Sequence, residues 1–167
     1  MNNSSEVGSD RRQYAPATER NRAPILEVLK QVLPDSGTVL EVASGTGEPA
    51  AYFAPRLPHL QWQPSEPQAM MRESVQAWAK AVASPTNLLS VIALDVSQQP
   101  WPVEVTAPAV PITAVVNINM IHISEWVMSQ HLMAGAQRVL TKGGLLYLYG
   151  PFEREGKQTA LSNEAFD

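Results

Sequence analysis

The sequence predicts an α/β fold: a doubly wound parallel sheet of five strands in the order 3-2-1-4-5, with helices on both faces. Three observations predict it. Apolar runs of strand length alternate with segments of helical periodicity, the pattern of a parallel sheet joined by right-handed crossovers. The first of these runs, Thr38–Ala43, breaks into the turn Ser44-Gly45-Thr46-Gly47 and opens a helix. Acidic residues stand at or just past the ends of three successive strands: Glu41, Glu66 and Asp95.

The elements follow in order. The polar stretch 1–13 has almost nothing to bury and is expected to be a flexible tail, leaving residues 14–167 as one domain. From Ala17 to Leu33 the pattern is helical, with Ile25, Leu29 and Val32 sharing a face and Pro24 expected to split the segment into a turn and a longer helix. After the first strand and its glycine turn, a helix is expected from Glu48 to Arg56, with Pro49 near its first position, where a missing N–H costs little. Leu60–Ser65 reads as a second, weaker strand, because Pro64 cannot donate to a ladder. Gln68–Val82 reads as a helix and Leu88–Leu94 as the third strand. Residues 95–111 are loop-like, with four prolines. Ile112–Asn117 is the fourth strand. Ser124 is placed to cap a helix reaching Leu140, with Trp126, Leu132, Met133, Ala136, Val139 and Leu140 as its apolar contacts. Gly143-Gly144 is a turn before the fifth strand, Leu145–Tyr149, and a further helix is expected to begin near Asn163.

Composition narrows the function. A hydrophobic share of 44% suits one globular core. A net charge of -4 lacks the electrostatic footprint of a nucleic-acid binder. The absence of cysteine removes disulfides, thiolate metal sites and a cysteine nucleophile, and suits a cytoplasmic protein. No apolar run approaches the ~20 residues of a membrane span, and the start has no signal-peptide core. His59 and His131 read as surface or helix residues, and no pair of histidines has metal-ligand spacing.

The glycine turn lies where doubly wound sheets bind ligands, at the carboxyl end of the first strand. Glycines at 45 and 47 allow close backbone approach. Two ligands compete for it. Gly45-x-Gly47-x-x-Ala50, with Glu66 about 20 residues on, satisfies the dinucleotide fingerprint and so suits NAD. Glu41 weighs the other way. A carboxylate at this strand end repels a pyrophosphate and suits a ligand carrying an ammonium and a sulfonium, which is S-adenosylmethionine. Glu66 and Asp95 extend that reading: one carboxylate accepts both vicinal ribose hydroxyls, and Asp95 is placed to accept from an adenine amino group. The bland alternatives are a sharp structural turn for the glycines and a loop cap for Asp95.

The chain resembles the class I, Rossmann-like S-adenosylmethionine-dependent methyltransferases and, more narrowly, the family of methyltransferase-like protein 26 (domain of unknown function 938). The strings that carry the resemblance are Tyr14–Asn21, VLEVASGTGE (39–48), Trp62–Glu66, Asn117–Ser124, GGLLYLYGPF (143–152) and Ser162–Asp167. The resemblance implies the fold and the cofactor and no particular acceptor. It assigns Glu41, Ala43, Ser44, Gly45, Gly47, Glu66, Asp95 and Asn117 to cofactor binding. It points to Asn119 and His122, after the fourth strand, as residues facing the transferring methyl: Asn119 as a positioner and His122 as a base or a structural hydrogen-bonder. Ala43 stands where the usual turn has its first glycine, Pro49 where the family usually has His, and Glu66 where Asp is usual.

The expected function is methyl transfer from S-adenosylmethionine to a small-molecule or protein acceptor. Against a complete class I fold the chain stops before strands six and seven, so a C-terminally truncated domain is expected. That leaves two alternatives: a non-catalytic chain that binds cofactor weakly or forms a homodimer through the exposed edge of Leu145–Tyr149, and an NAD-dependent oxidoreductase. Tyr14, Arg20 and Asn21 fit either a lid over the cofactor or an ordinary packed helix. Tyr149, Phe152, Ser162 and Asn163 fit either an acceptor pocket or loop packing. Trp62, Trp78 and Trp126 read as core or helix–sheet contacts.

Overall fold

The computed structural model describes residues 10–154 and 157–158. Ser162, Asn163 and the helix expected there lie outside the described residues, as do residues 1–9 of the expected tail. Residues 10–13 of that tail are tied down: the Gln13 N–H donates to Ser74 Oγ at 2.7 Å, and the Trp78 indole donates to the Gln13 carbonyl at 2.9 Å.

The elements are α1 (Pro16–Val32), β1 (Gly37–Val42), α2 (Glu48–Phe53), β2 (Leu60–Ser65), α3 (Ala69–Ala81), α4 (Pro102–Val105), β3 (Ile112–Ile118), α5 (Met120–Ile123), α6 (Trp126–Val139) and β4 (Leu145–Tyr149). A two-residue hairpin, β5 (Glu153–Arg154) with β6 (Lys157–Gln158), follows. The main sheet is all parallel in the order β2-β1-β3-β4. β3 and β4 are therefore the fourth and fifth strands of the sequence reading.

The sheet is buried from both sides. Every residue of β1 is buried, and alternate residues feed opposite cores, as the two-residue period of a strand requires. Val39, Ala114, Val116 and Trp62 pack with Ile25, Leu26 and Leu29 of α1 and Phe53 of α2 on one face. Leu40, Val42 and Val115 pack with Trp101, Leu132 and Ala136 on the other. Gly135 lets α6 come down on Trp101, because a Cβ there would overlap the indole. Arg22 of α1 pairs with the nearly buried Glu48 of α2 at 2.6 Å, fixing one helix on the other. No helix among the described residues is long and apolar enough to cross a membrane.

Several local expectations change. The third strand, Leu88–Leu94, is reduced to two parallel bridges, Trp62 with Leu88 and Ser65 with Ile92. Pro64 is the cause. Trp62 gives its N–H to Asn87 and takes the N–H of Leu89, and Glu66 donates to Ile92; between them Pro64 faces the third strand with a carbonyl that takes Ile92 but no N–H to give. The register slips there by one residue, and the Gln63 side-chain amide bonds the Ser90 carbonyl instead, at 2.7 Å. Pro24 does not split α1, which runs unbroken through it. It is solvent-facing, and Ile25, Leu26 and Leu29 bury the helix around the lost bond, while Val32 stays exposed. Loop 95–111 contains the short helix α4. Ser124 does not cap α6; Glu125 occupies that position, and the Ser124 hydroxyl turns back to the Met120 carbonyl at 2.8 Å. With that cap, Trp126 and Met133, one heptad apart, share the solvent face of α6, so neither is a core contact.

Candidate functional site

A cavity of about 550 Å³ opens at the carboxyl ends of the strands, between β1 and β3 where the winding reverses. That volume suits a nucleoside-sized ligand. Glu41, Ala43, Ser44 and Gly45 form its floor, Glu66 and Met71 the wall from β2 and α3, and Leu94 and Asp95 the wall from the third-strand segment. Ile118, Asn119, Met120, Ile123, Ser124 and Met128 form the β3 side, and Ala15, which caps α1, and Thr18 within it add to the lining.

The turn after β1 is built from left-handed residues. Ala43, Gly45 and Gly47 have φ of 57°, 54° and 84°. A Cβ on Gly45 would meet nothing, whereas one on Gly47 would overlap Val75 of α3. Gly45 is therefore free to face a ligand. Gly47 is not among the residues lining the cavity; it is the position where α2 and α3 touch. Ala43 holds the same backbone conformation with a methyl group, at a cost of about 1 kcal/mol.

Glu66 ties this turn to β2. Its Oε2 accepts the Gly45 N–H at 3.0 Å and its Oε1 the Gln68 N–H at 3.1 Å. Each carboxylate oxygen retains a lone pair for a further donor. Glu41 is almost fully buried, and both of its hydrogen bonds fall on Oε2: Ser44 Oγ donates at 2.8 Å and Trp62 Nε1 at 3.1 Å. Burial pushes its carboxyl up to about 7, the nearby charge of Glu66 adds to the rise, and the Trp62 and Ser44 bonds oppose it. Asp95 is exposed at the rim. It accepts from the Ser97 hydroxyl at 2.7 Å and the Ser97 N–H at 2.9 Å, and these bonds hold it below the usual carboxylate range. It thus caps its own loop while lining the cavity.

The β3 side is less uniform. Asn119 lines the cavity and also a small cleft shared with Asn21 and Arg22 of α1. Asn117 is buried behind the wall, where its Nδ2 donates to the Val42 carbonyl at 3.0 Å and stitches β3 to β1; its Oδ1 is buried with no partner among the described residues. His122 does not line the cavity. α5 is one turn long, and while Met120, Ile123 and Ser124 face the cavity, His122 points toward the end of β4. There its ring packs edge-on to Phe152 at 4.6 Å and fills the space a Gly150 Cβ would take. Its Nε2 is buried with no hydrogen-bond partner among the described residues, and burial lowers its pKa. Of the expected lid residues, Tyr14 packs edge-on against Trp78, away from the cavity, and Arg20 is exposed. Among the described residues no cluster of His, Cys, Asp or Glu is arranged to hold a metal.

Sequence reasoning missed Trp62 as the partner of Glu41. The signal was available: a tryptophan in mid-strand is buried, and a buried indole N–H needs an acceptor. It also missed Ala15, Thr18, Met71 and Met128, which reach the cavity by helix packing that no motif announces.

The profile of the family described as protein of unknown function (DUF938) matches residues 12–167. Among solved structures, the chain is similar to an O-methyltransferase family protein from Burkholderia thailandensis, with a TM-score of 0.69 at 17% identity, covering 90% of this chain and 44% of that one. It is similar to a putative O-methyltransferase from Nostoc punctiforme, with a TM-score of 0.68 at 14% identity, covering 89% and 42%. A third likeness is to an S-adenosylmethionine-dependent methyltransferase from Thiobacillus denitrificans, solved with S-adenosyl-L-homocysteine, with a TM-score of 0.58 at 17% identity, covering 82% and 50%. These likenesses show the class I methyltransferase fold. The chain spans half the length of these three structures or somewhat less.

Proposed function

The chain belongs to the DUF938 family, and from that premise we propose that it binds S-adenosylmethionine in the cavity between β1 and β3 and takes part in methyl transfer to a small-molecule or protein acceptor. The observation that carries this reading is the convergence of Glu41, Glu66, Asp95 and the Gly45 turn on one cavity. The residues fit the group. Glu66 has lone pairs left for two ribose hydroxyls, Asp95 lies at the rim in the third-strand wall for the adenine amino group, and Glu41 supplies a buried carboxylate on the floor for the cationic end. The methyltransferase-like protein 26 assignment is the narrower form of the same proposal, as is a cytoplasmic location.

When bound, S-adenosylmethionine supplies an electrophilic methyl at a sulfonium. The protein's task is then to hold acceptor and methyl in line, since proximity and orientation supply much of the rate. Asn119, on the β3 side, is the polar side chain best placed to orient the acceptor. His122 faces β4 instead, so in this conformation it supports the wall from behind and does not reach the cavity. An NAD reading sets the pyrophosphate against Glu41.

The test is a pair of thermal-shift series on the purified protein. S-adenosylmethionine and S-adenosylhomocysteine are expected to raise the unfolding temperature with concentration, as any ligand of the native state does, and NAD is not. A shift with NAD alone would replace this function with the oxidoreductase one.

A further inference from the structure

We propose that Trp62 and Ser44 are positioning residues: they turn Oε2 of Glu41 into the body of the protein and so present its other carboxylate oxygen to the cationic end of the ligand. The inference rests on the cofactor reading above and goes on to ask what makes Glu41 effective.

The frame around Glu41 is fixed at both ends of the residue. The Ser65 hydroxyl donates to the Glu41 carbonyl at 2.7 Å. Ser44 donates to Oε2 through its hydroxyl, which in turn accepts the Ser65 N–H at 3.2 Å, and the Ser44 N–H returns to the Ser65 carbonyl at 2.9 Å. Trp62 completes the cage. It pairs with Val39 of β1, so its ring lies diagonally across from Glu41 on the same face of the sheet. It is fully buried, with its ring 5.5 Å from that of Phe53. It cannot swing away. An indole N–H is a donor only, so it bonds an ionised oxygen best and never accepts a proton back. With two donors on Oε2, any proton on Glu41 sits on the cavity-side oxygen, where a cation displaces it. Glu66, from the end of β2, is the charged group acting on Glu41, and it opposes ionisation. The two donors are what offset it.

The experiment is calorimetric titration of S-adenosylmethionine from pH 6 to pH 9 into the wild-type chain and into Ser44→Ala, Ser44→Thr, Trp62→Phe and Glu41→Gln. Glu41→Gln, which cannot ionise, removes the ligand's own titration from the comparison. The wild type is expected to tighten as pH rises through about 7, where Glu41 ionises. Losing a hydrogen bond to a charged group is expected to weaken binding about tenfold at pH 7. Because the midpoint of ionisation moves up, most of that loss is recovered by pH 9. Ser44→Thr keeps the hydroxyl and is expected to keep the wild-type profile. A loss of equal size at every pH, or an unchanged midpoint in Ser44→Ala, overturns the proposal; the second result stands even if Trp62→Phe does not fold. A wild-type chain that binds no S-adenosylmethionine at any pH overturns the cofactor reading and this inference with it, whereas unaltered variants of a binding wild type overturn this inference alone.

Discussion

A carboxyl group buried in a wall of valine and tryptophan is held against its solvation preference, and Glu41 shows the consequence for stability. Its ordinary value is 4.5, and in the folded protein burial lifts it to about 7. Between those two pH values the folded chain holds a proton that the unfolded chain has released. Stability therefore falls as pH rises through that window, by about 3 kcal/mol at its upper end. Glu41→Gln is expected to remove this slope and to be more stable than the wild type at pH 8, read from urea unfolding at pH 5 and pH 8. A wild-type chain whose stability relative to Glu41→Gln rises over the same range would contradict the burial of this group. At this scale the sequence was a good guide where spacing carried the information. Glu41, Glu66 and Asp95 fall at strand ends 25 and 29 residues apart, and the cavity collects all three. It was a poor guide to direction. His122 sits on a helix of four residues, too short for periodicity to say which way a side chain points.

At the scale of elements, long periodic segments and the edge strand β4 were legible, and the strand beside β2 was not. β2 lies at the expected residues, and β1, β3 and α3 within one or two of theirs, because apolar runs bounded by turns define them. The third strand was misjudged because Pro64 acts on its neighbour: β2 keeps its pairing with β1, and the rung lost is the one toward Leu88–Leu94. Pro64→Val restores an N–H facing that gap. It is expected to slow hydrogen exchange at the amides of Leu89 and Ile92, with β1 unchanged; exchange that is no slower would show that the slipped register has another cause. The glycine turn makes a second, sharper comparison. Gly47→Ala combines a left-handed backbone with overlap onto Val75 and is expected to cost about 2–4 kcal/mol. Gly45→Ala meets open space and is expected to cost about 1 kcal/mol in chemical denaturation. Equal costs would mean that α2 and α3 do not meet at Gly47.

Over the whole molecule the division of labour follows the winding of the sheet. Among the described residues, 41–95 supply every acidic group of the cavity, and the segment after β3 supplies a side rich in Met and Ile, with Ile123 77% exposed at its margin. The alternation of strands and helices predicted that architecture, because a parallel sheet with helices on both faces has one place where its ligands can sit. What α1 does to the cavity was not legible: Ala15 and Thr18 line it only because Ile25, Leu26 and Leu29 anchor the far half of the helix to the sheet. One further consequence comes from the Trp62 indole, sealed from water with its N–H on the carboxylate of the floor. Such a ring emits at short wavelength, and its brightness follows the charge of the group it touches. Of the other three tryptophans, Trp126 is open to solvent, Trp78 is half-buried on α3 against Tyr14, and Trp101, also fully buried, lies on the opposite face of the sheet from Glu41. A change in blue fluorescence on adding a ligand that Trp62→Phe abolishes would thus come from the floor of the cavity itself, giving the protein an optical gauge of occupancy without any dye.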